Sequence, residues 1–300
     1  MSTPGNSINE STTGITGFSG TAFTGSTTTE NVVQLGGASS HLIKGVSGVG
    51  TADQVLTSNG PGLAPTWQDV STIGISGIST YTFWEDFYSV NLDGSNDTDV
   101  STFFDQETFG LSSGAAVGTQ DPQTHPGTIQ TNTGTATNGG NLIFASGNLI
   151  MGGGSIECEW LLYIPTLSVL AQRYTLYLGI HNGTASAAPT DGVYFTYSDT
   201  INSGNWVGNT SKASSSSTAN SAVAVSAATW IKLKISVNAG ATSASFFVNG
   251  TEIANSPIAT NIPNTVITRP SFSIVKSLGT TSRSFILDYV NTTINLTTPR

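Results

Sequence analysis

Apolar and polar residues alternate with a period of two through most of residues 81–300. In SIECEWLLYI (155–164), Ile156, Cys158, Trp160 and Leu162 fall on one face, with Glu157 and Glu159 on the other. YTLYLGIH (174–181) puts Tyr174, Leu176, Leu178 and Ile180 together. WIKLKISV (230–237) turns Ile231, Leu233, Ile235 and Val237 inward and Lys232 and Lys234 outward. This is the pattern of strands with one face buried and one wet. YTFWEDFYSV (81–90), GVYFTYS (192–198), PSFSIVKS (270–277) and SFILDYV (284–290) read as further strands. NLIFASGNLIM (141–151) reads as a hairpin about Ser146-Gly147, and SASFFVNGTEIA (243–254) as a hairpin about Asn249-Gly250. Asn-Gly suits a two-residue turn because both central residues need positive φ. No segment has helical periodicity. Short strands at regular spacing predict an all-β fold, an antiparallel two-sheet jelly-roll sandwich over residues 81–300.

Residues 1–80 differ. They are short Gly-punctuated pieces, GITGFSG, GVSGVG and GISGIST. Gly14, Gly17 and Gly20 recur every third residue, but the run is too short and too poor in proline for a collagen helix. An extended, Gly-rich segment of this kind buries no core alone and is expected to gain order from neighbouring chains. Within it, GTADQVLTSNGPGLAPTWQDV (50–70) predicts a strand at Gln54–Thr57, a turn at 58–62 and an extended stretch holding Trp67.

Composition narrows the class of protein. Charged residues make up 9% of the chain, against about 25% in an ordinary soluble domain. Ser, Thr, Asn and Gly stand in their place, and these favour strands and turns over helix interiors. The net charge is −9 and no arginine-rich run occurs, so nucleic-acid binding is not expected. The N-terminal MSTPGNSINESTTG lacks the basic and apolar parts of a signal peptide. No apolar run reaches the roughly 18 residues of a membrane helix. Cys158 is the only cysteine, which excludes an intrachain disulfide; beside Ile156 and Trp160 it reads as a small buried hydrophobe.

Two resemblances extend this reading. Gln54-Val55-Leu56-Thr57-Ser58-Asn59-Gly60 followed by Ala64-Pro65-Thr66-Trp67 resembles an element of bacteriophage tail fibres and other phage appendages. It implies a structural, chain-associating segment. The W-x-D-F strand (Trp84, Asp86, Phe87), the WIKLKI strand, the FFVNGTEI hairpin and the closing ILDYV strand (Ile286 to Val290) resemble the concanavalin A-like lectin/glucanase jelly roll. Together they imply a virion fibre protein of head or tail, expected as a homotrimer on the virion surface. Residues 1–80 would attach to other virion proteins, and the sandwich would adhere to a host-surface glycan. Lack of an export signal fits release by lysis. The alternatives are a capsid decoration protein without a ligand and a glycan depolymerase.

Fold does not fix function, so candidate sites rest on residues. Sugar binding calls for exposed aromatic rings edged by amides and carboxylates; the candidates are Trp206, in the Asn- and Gly-rich INSGNWVGNT, Tyr197 and Tyr177. Asp93, Asp97 and Asp99 lie in an acidic stretch free of Lys and Arg and supply the hard oxygen ligands of a Ca²⁺ site. No other cofactor is expected. Glu157 and Glu159 share a strand face, as a glycosidase pair would. The third acid of the glucanase Glu-x-Asp-x-x-Glu strand is missing, its place falling in Leu161–Leu162. Paired exposed acids usually solvate a sheet face, and no enzyme is expected. His181, ending a strand beside Asn182-Gly183, reads as a solvated turn histidine. No histidine pair or serine elbow suggests metal or nucleophilic chemistry.

Overall fold

The computed structural model describes residues 33–34, 42–43, 51, 54–59, 63–69, 79–88, 101, 103–110, 113–120 and 123–299. The chain divides after Gly77 into two compact units. In the first, β1 (Val33–Gln34) pairs with β2 (Leu42–Ile43), and β3 (Gln54–Thr57) with β4 (Thr66–Asp69). Leu56 faces Trp67 across the second hairpin. The Asn59 side chain closes it by donating to the Ala64 carbonyl at 2.7 Å.

The second unit is a jelly roll of two antiparallel sheets. Its strands are β5 (Thr80–Glu85), β6 (Phe104–Phe109), β7 (Gly114–Val117), β8 (Ile129–Asn132), β9 (Gly140–Ala145), β10 (Gly154–Tyr163), β11 (Tyr174–His181) and β12 (Gly192–Tyr197). They continue with β13 (Asn205–Lys212), β14 (Ser215–Ala224), β15 (Trp230–Val237), β16 (Ala244–Val248), β17 (Thr251–Glu252), β18 (Arg269–Lys276) and β19 (Ser284–Leu296). The first sheet runs β17-β16-β15-β10-β19-β8-β7, and β5 pairs with the far half of β19. The second runs β14-β13-β12-β11-β18-β9-β6. Among the described residues no helix is long and apolar enough to cross a membrane.

Alternation decides what meets between the sheets. Ile156, Cys158, Trp160 and Leu162 from the first sheet and Tyr174, Leu176, Leu178 and Ile180 from the second are all fully buried. Trp160 meets Phe195 and Phe272 edge-on, with ring centroids 6.0 and 5.3 Å apart. Phe246 meets Phe195 at 5.3 Å, the T-shaped geometry that ring quadrupoles favour. Gly208 faces Phe246, and a Cβ there would lie 2.6 Å from the ring, so only glycine fits. Asn249 and Gly250 both have positive φ, as the predicted two-residue hairpin turn requires.

Two elements differ from expectation. NLIFASGNLIM is no hairpin: β9 lies between β18 and β6, and Leu149 instead bridges to Thr268. Residues 205–212 and 215–224, where the alternation predicts no strand, form β13 and β14. Their Ser, Asn and Thr side chains hide the apolar alternation, while the backbone pairs regardless.

Candidate glycan-binding surface

The outward face of the first sheet carries an aromatic stack built on Trp84. Across β5, β19, β10, β15 and β16 the register aligns Trp84, Asn291, Glu159, Lys234 and Phe247. In YTFWED, Phe83 packs against the core and Glu85 is buried, so Trp84 points outward, 54% exposed. Between Trp160 and Leu162 the register slips: Val290 and Leu287 are their partners, leaving Asp288 and Tyr289 opposite Leu161. Such a bulge re-aims side chains. It lays Tyr289 flat on Trp84, centroids 4.8 Å apart and planes 11° apart. The Tyr289 hydroxyl donates to Glu159 Oε1 at 2.8 Å. Burial, with the Glu159 carboxylate beside it, pushes this phenol well above its ordinary pKa and keeps it a neutral donor.

Polar groups edge the stack. Lys232 Nζ lies 3.6 Å from Glu159 Oε2, and Lys234 Nζ lies 3.7 Å from Glu157 and 4.7 Å from the Phe247 ring centroid. The Asn291 side-chain oxygen is buried without a hydrogen-bond partner. The other bulge residue, Asp288, holds His125 Nδ1 at 2.8 Å, and that imidazole stacks on Trp230 at 4.1 Å. A pyranose ring has an apolar C–H face and a hydroxyl rim. The indole offers a flat apolar surface for the first, and carboxylate, amide and ammonium groups suit the second.

The residues expected from sequence lie elsewhere. Trp206 and Tyr197 do not face outward; both are inside the sandwich, at 0% and 2% exposure. Trp206 is on β13, where strand parity turns it inward onto Phe195 and Tyr197. The Tyr197 hydroxyl accepts the Ser168 amide at 3.1 Å. Tyr177 stands on the outer face of the second sheet, half-buried and edge-on to Tyr194 at 6.0 Å. Asp93, Asp97 and Asp99, the expected Ca²⁺ ligands, lie outside the described residues. Among the described residues no group of acids, histidines and cysteines could hold a metal ion. His181 is fully buried rather than solvated. Its Nδ1 accepts the Gly183 amide at 2.9 Å and its Nε2 lies 3.2 Å from the Tyr177 carbonyl. Cys158 is buried, its thiol pushed up to about 12 chiefly by desolvation.

Trp84 was visible in sequence only as part of a structural motif, although its alternation with Phe83 and Glu85 marks it as outward. Tyr289 carried no such signal, because the bulge resets the parity of β19.

Residues 124–288 match the family described as SO2946-like, C-terminal domain. That is more than half of the chain, which therefore belongs to this family. No curated protein matches the chain. A protein of unknown function, SO2946 from Shewanella oneidensis MR-1, has a similar structure. It is 15% identical, covers 81% of this chain and 99% of its own, and has a TM-score of 0.53. The carbohydrate recognition domain of Emp47p is 10% identical over 74% of this chain and 98% of its own, TM-score 0.48. Peanut lectin is 13% identical over 74% and 100%, TM-score 0.47.

Proposed function

We propose that this chain is a non-catalytic adhesin whose sandwich binds glycan through the Trp84–Tyr289 stack, and that it serves as a fibre on a virion surface. The observation that carries the glycan reading is an indole 54% exposed, held flat by a tyrosine that is itself tied to Glu159. A ring fixed in this way loses little side-chain freedom when a sugar stacks on it. Glu157 and Glu159 are each paired with a lysine; this supports a role for them in the polar rim rather than as an acid and base. The fibre reading rests on the phage-appendage element at 50–70 and on a chain with only 9% charged residues. In this reading residues 1–80 attach to other virion proteins and join three copies, and avidity multiplies a weak single-site affinity.

The test is a glycan array with the full chain, followed by calorimetry on each hit with Trp84→Ala. The expected result is binding that falls about tenfold or more in the variant, a loss of about 1.4 kcal/mol. A silent array, or equal affinity in both proteins, would sink the reading.

A further inference from the structure

At one end of the sandwich the two sheets bring together a buried lysine, an arginine whose Nε has no partner and an amide whose polar atoms have none. Lys276 on β18 is 2% exposed. It reaches across to the first sheet, where Nζ donates to the Gly134 carbonyl at 2.6 Å and to the Thr281 carbonyl at 3.3 Å. Among the described residues no carboxylate accepts from it. Arg283 immediately precedes β19 and shares the inward parity of Phe285. Its backbone exchanges hydrogen bonds with Thr133, the neighbour of Gly134. Its Nε is buried and unpartnered. Asn141 on β9 is 0% exposed, and neither its Nδ2 nor its Oδ1 has a partner. Asn141 lies opposite Ile274, two residues from Lys276 on the same inner face, so the two side chains are diagonal neighbours.

A buried cation without an acid and a buried amide without a partner each cost stability. Two cations side by side add repulsion: desolvation and the Arg283 guanidinium both push the Lys276 ammonium below its ordinary pKa. Asp199 does not offset them, since it is held by Arg173 at 3.0 Å and by Ser168 at 2.7 Å. A water molecule would satisfy hydrogen bonds here but not the charge. Arg283 is half-buried and Thr281 and Ser282 are exposed, so this end of the cluster lies at the edge of the surface.

We infer that Arg283, Lys276 and the Asn141 amide form a binding site for an oxyanion, a carboxylate or phosphate group. This site is separate from the Trp84 surface and does not depend on it. The group belongs either to a free anion or to an acidic sugar.

The experiment is calorimetric titration of the full chain at constant ionic strength with inorganic phosphate, glucuronate and glucose. Saturable binding of phosphate alone supports the site with a free anion as occupant. Saturable binding of glucuronate supports it with an acidic glycan. Either affinity falls about tenfold or more in Arg283→Gln and in Lys276→Met, and that for phosphate is unchanged in Trp84→Ala. Should Lys276→Met fail to fold, Arg283→Gln decides, because its side chain is only half-buried. Absence of saturable binding by both anions in the folded chain overturns the inference and leaves water as the occupant. So does undiminished binding in Arg283→Gln.

Discussion

His181 illustrates how a single side chain is decided by what closes over it. Its imidazole accepts from the Gly183 amide, which fixes the proton on Nε2, facing the Tyr177 carbonyl. Burial, the largest influence, holds its pKa down to about 4 from an ordinary 6.5, with Arg269 beside it acting in the same direction. The Tyr177 and Ser271 backbone bonds act the other way. Between these two values the unfolded chain binds the proton and the folded chain does not. Stability therefore rises with pH across that window and is lost as pH falls through it. The full swing is about 3 kcal/mol at 1.36 kcal/mol per unit. Urea unfolding between pH 7 and pH 4 should show this loss in the wild type. His181→Asn, less stable at pH 7, should show a flatter profile over the same range; parallel profiles would refute the assignment. From sequence the residue read as a turn histidine because Asn182-Gly183 follows it. The ring is also covered from other strands, by Tyr194 edge-on at 5.7 Å and by Arg269 opposite on β18, and these contacts no local pattern encodes.

At the scale of elements, register and packing decide more than propensity. β13 and β14 pair along Val207 to Lys212 although their sequence is largely Ser, Asn and Thr. Once β13 is a strand, parity sends Trp206 inward and sets Gly208 against Phe246. Gly208→Ala should cost about 1–3 kcal/mol by overpacking. Phe246→Leu vacates part of that space, so the double variant should be more stable than the sum of the single losses predicts, by about 1 kcal/mol. Denaturant unfolding of the three variants measures this; strict additivity would show that the ring does not set the limit. The bulge in β19 is the other decisive feature. Alternation alone runs Ile286, Asp288 and Val290 along one face. The extra residue at Asp288-Tyr289 breaks that parity and builds the aromatic stack.

For the whole molecule the division after Gly77 separates a short-strand unit from a sandwich with a continuous core. The proposed trimer is tested by sedimentation of the full chain at micromolar concentration. The expected mass is three times the 30.9 kDa monomer; a clean monomer would count against the fibre reading. The all-β class, the facing apolar rows of β10, β11 and β15, the buried thiol and the Asn249-Gly250 turn follow from sequence alone. Each depends on period-two alternation or on the φ preference of one dipeptide, and both are local. The location of the aromatic surface, the burial of Trp206 and Tyr197, and the gathering of Lys276, Arg283 and Asn141 depend on which strands lie side by side. Those strands are distant in the chain, and their pairing is chosen by how the entire core packs, so only the tertiary structure could decide them.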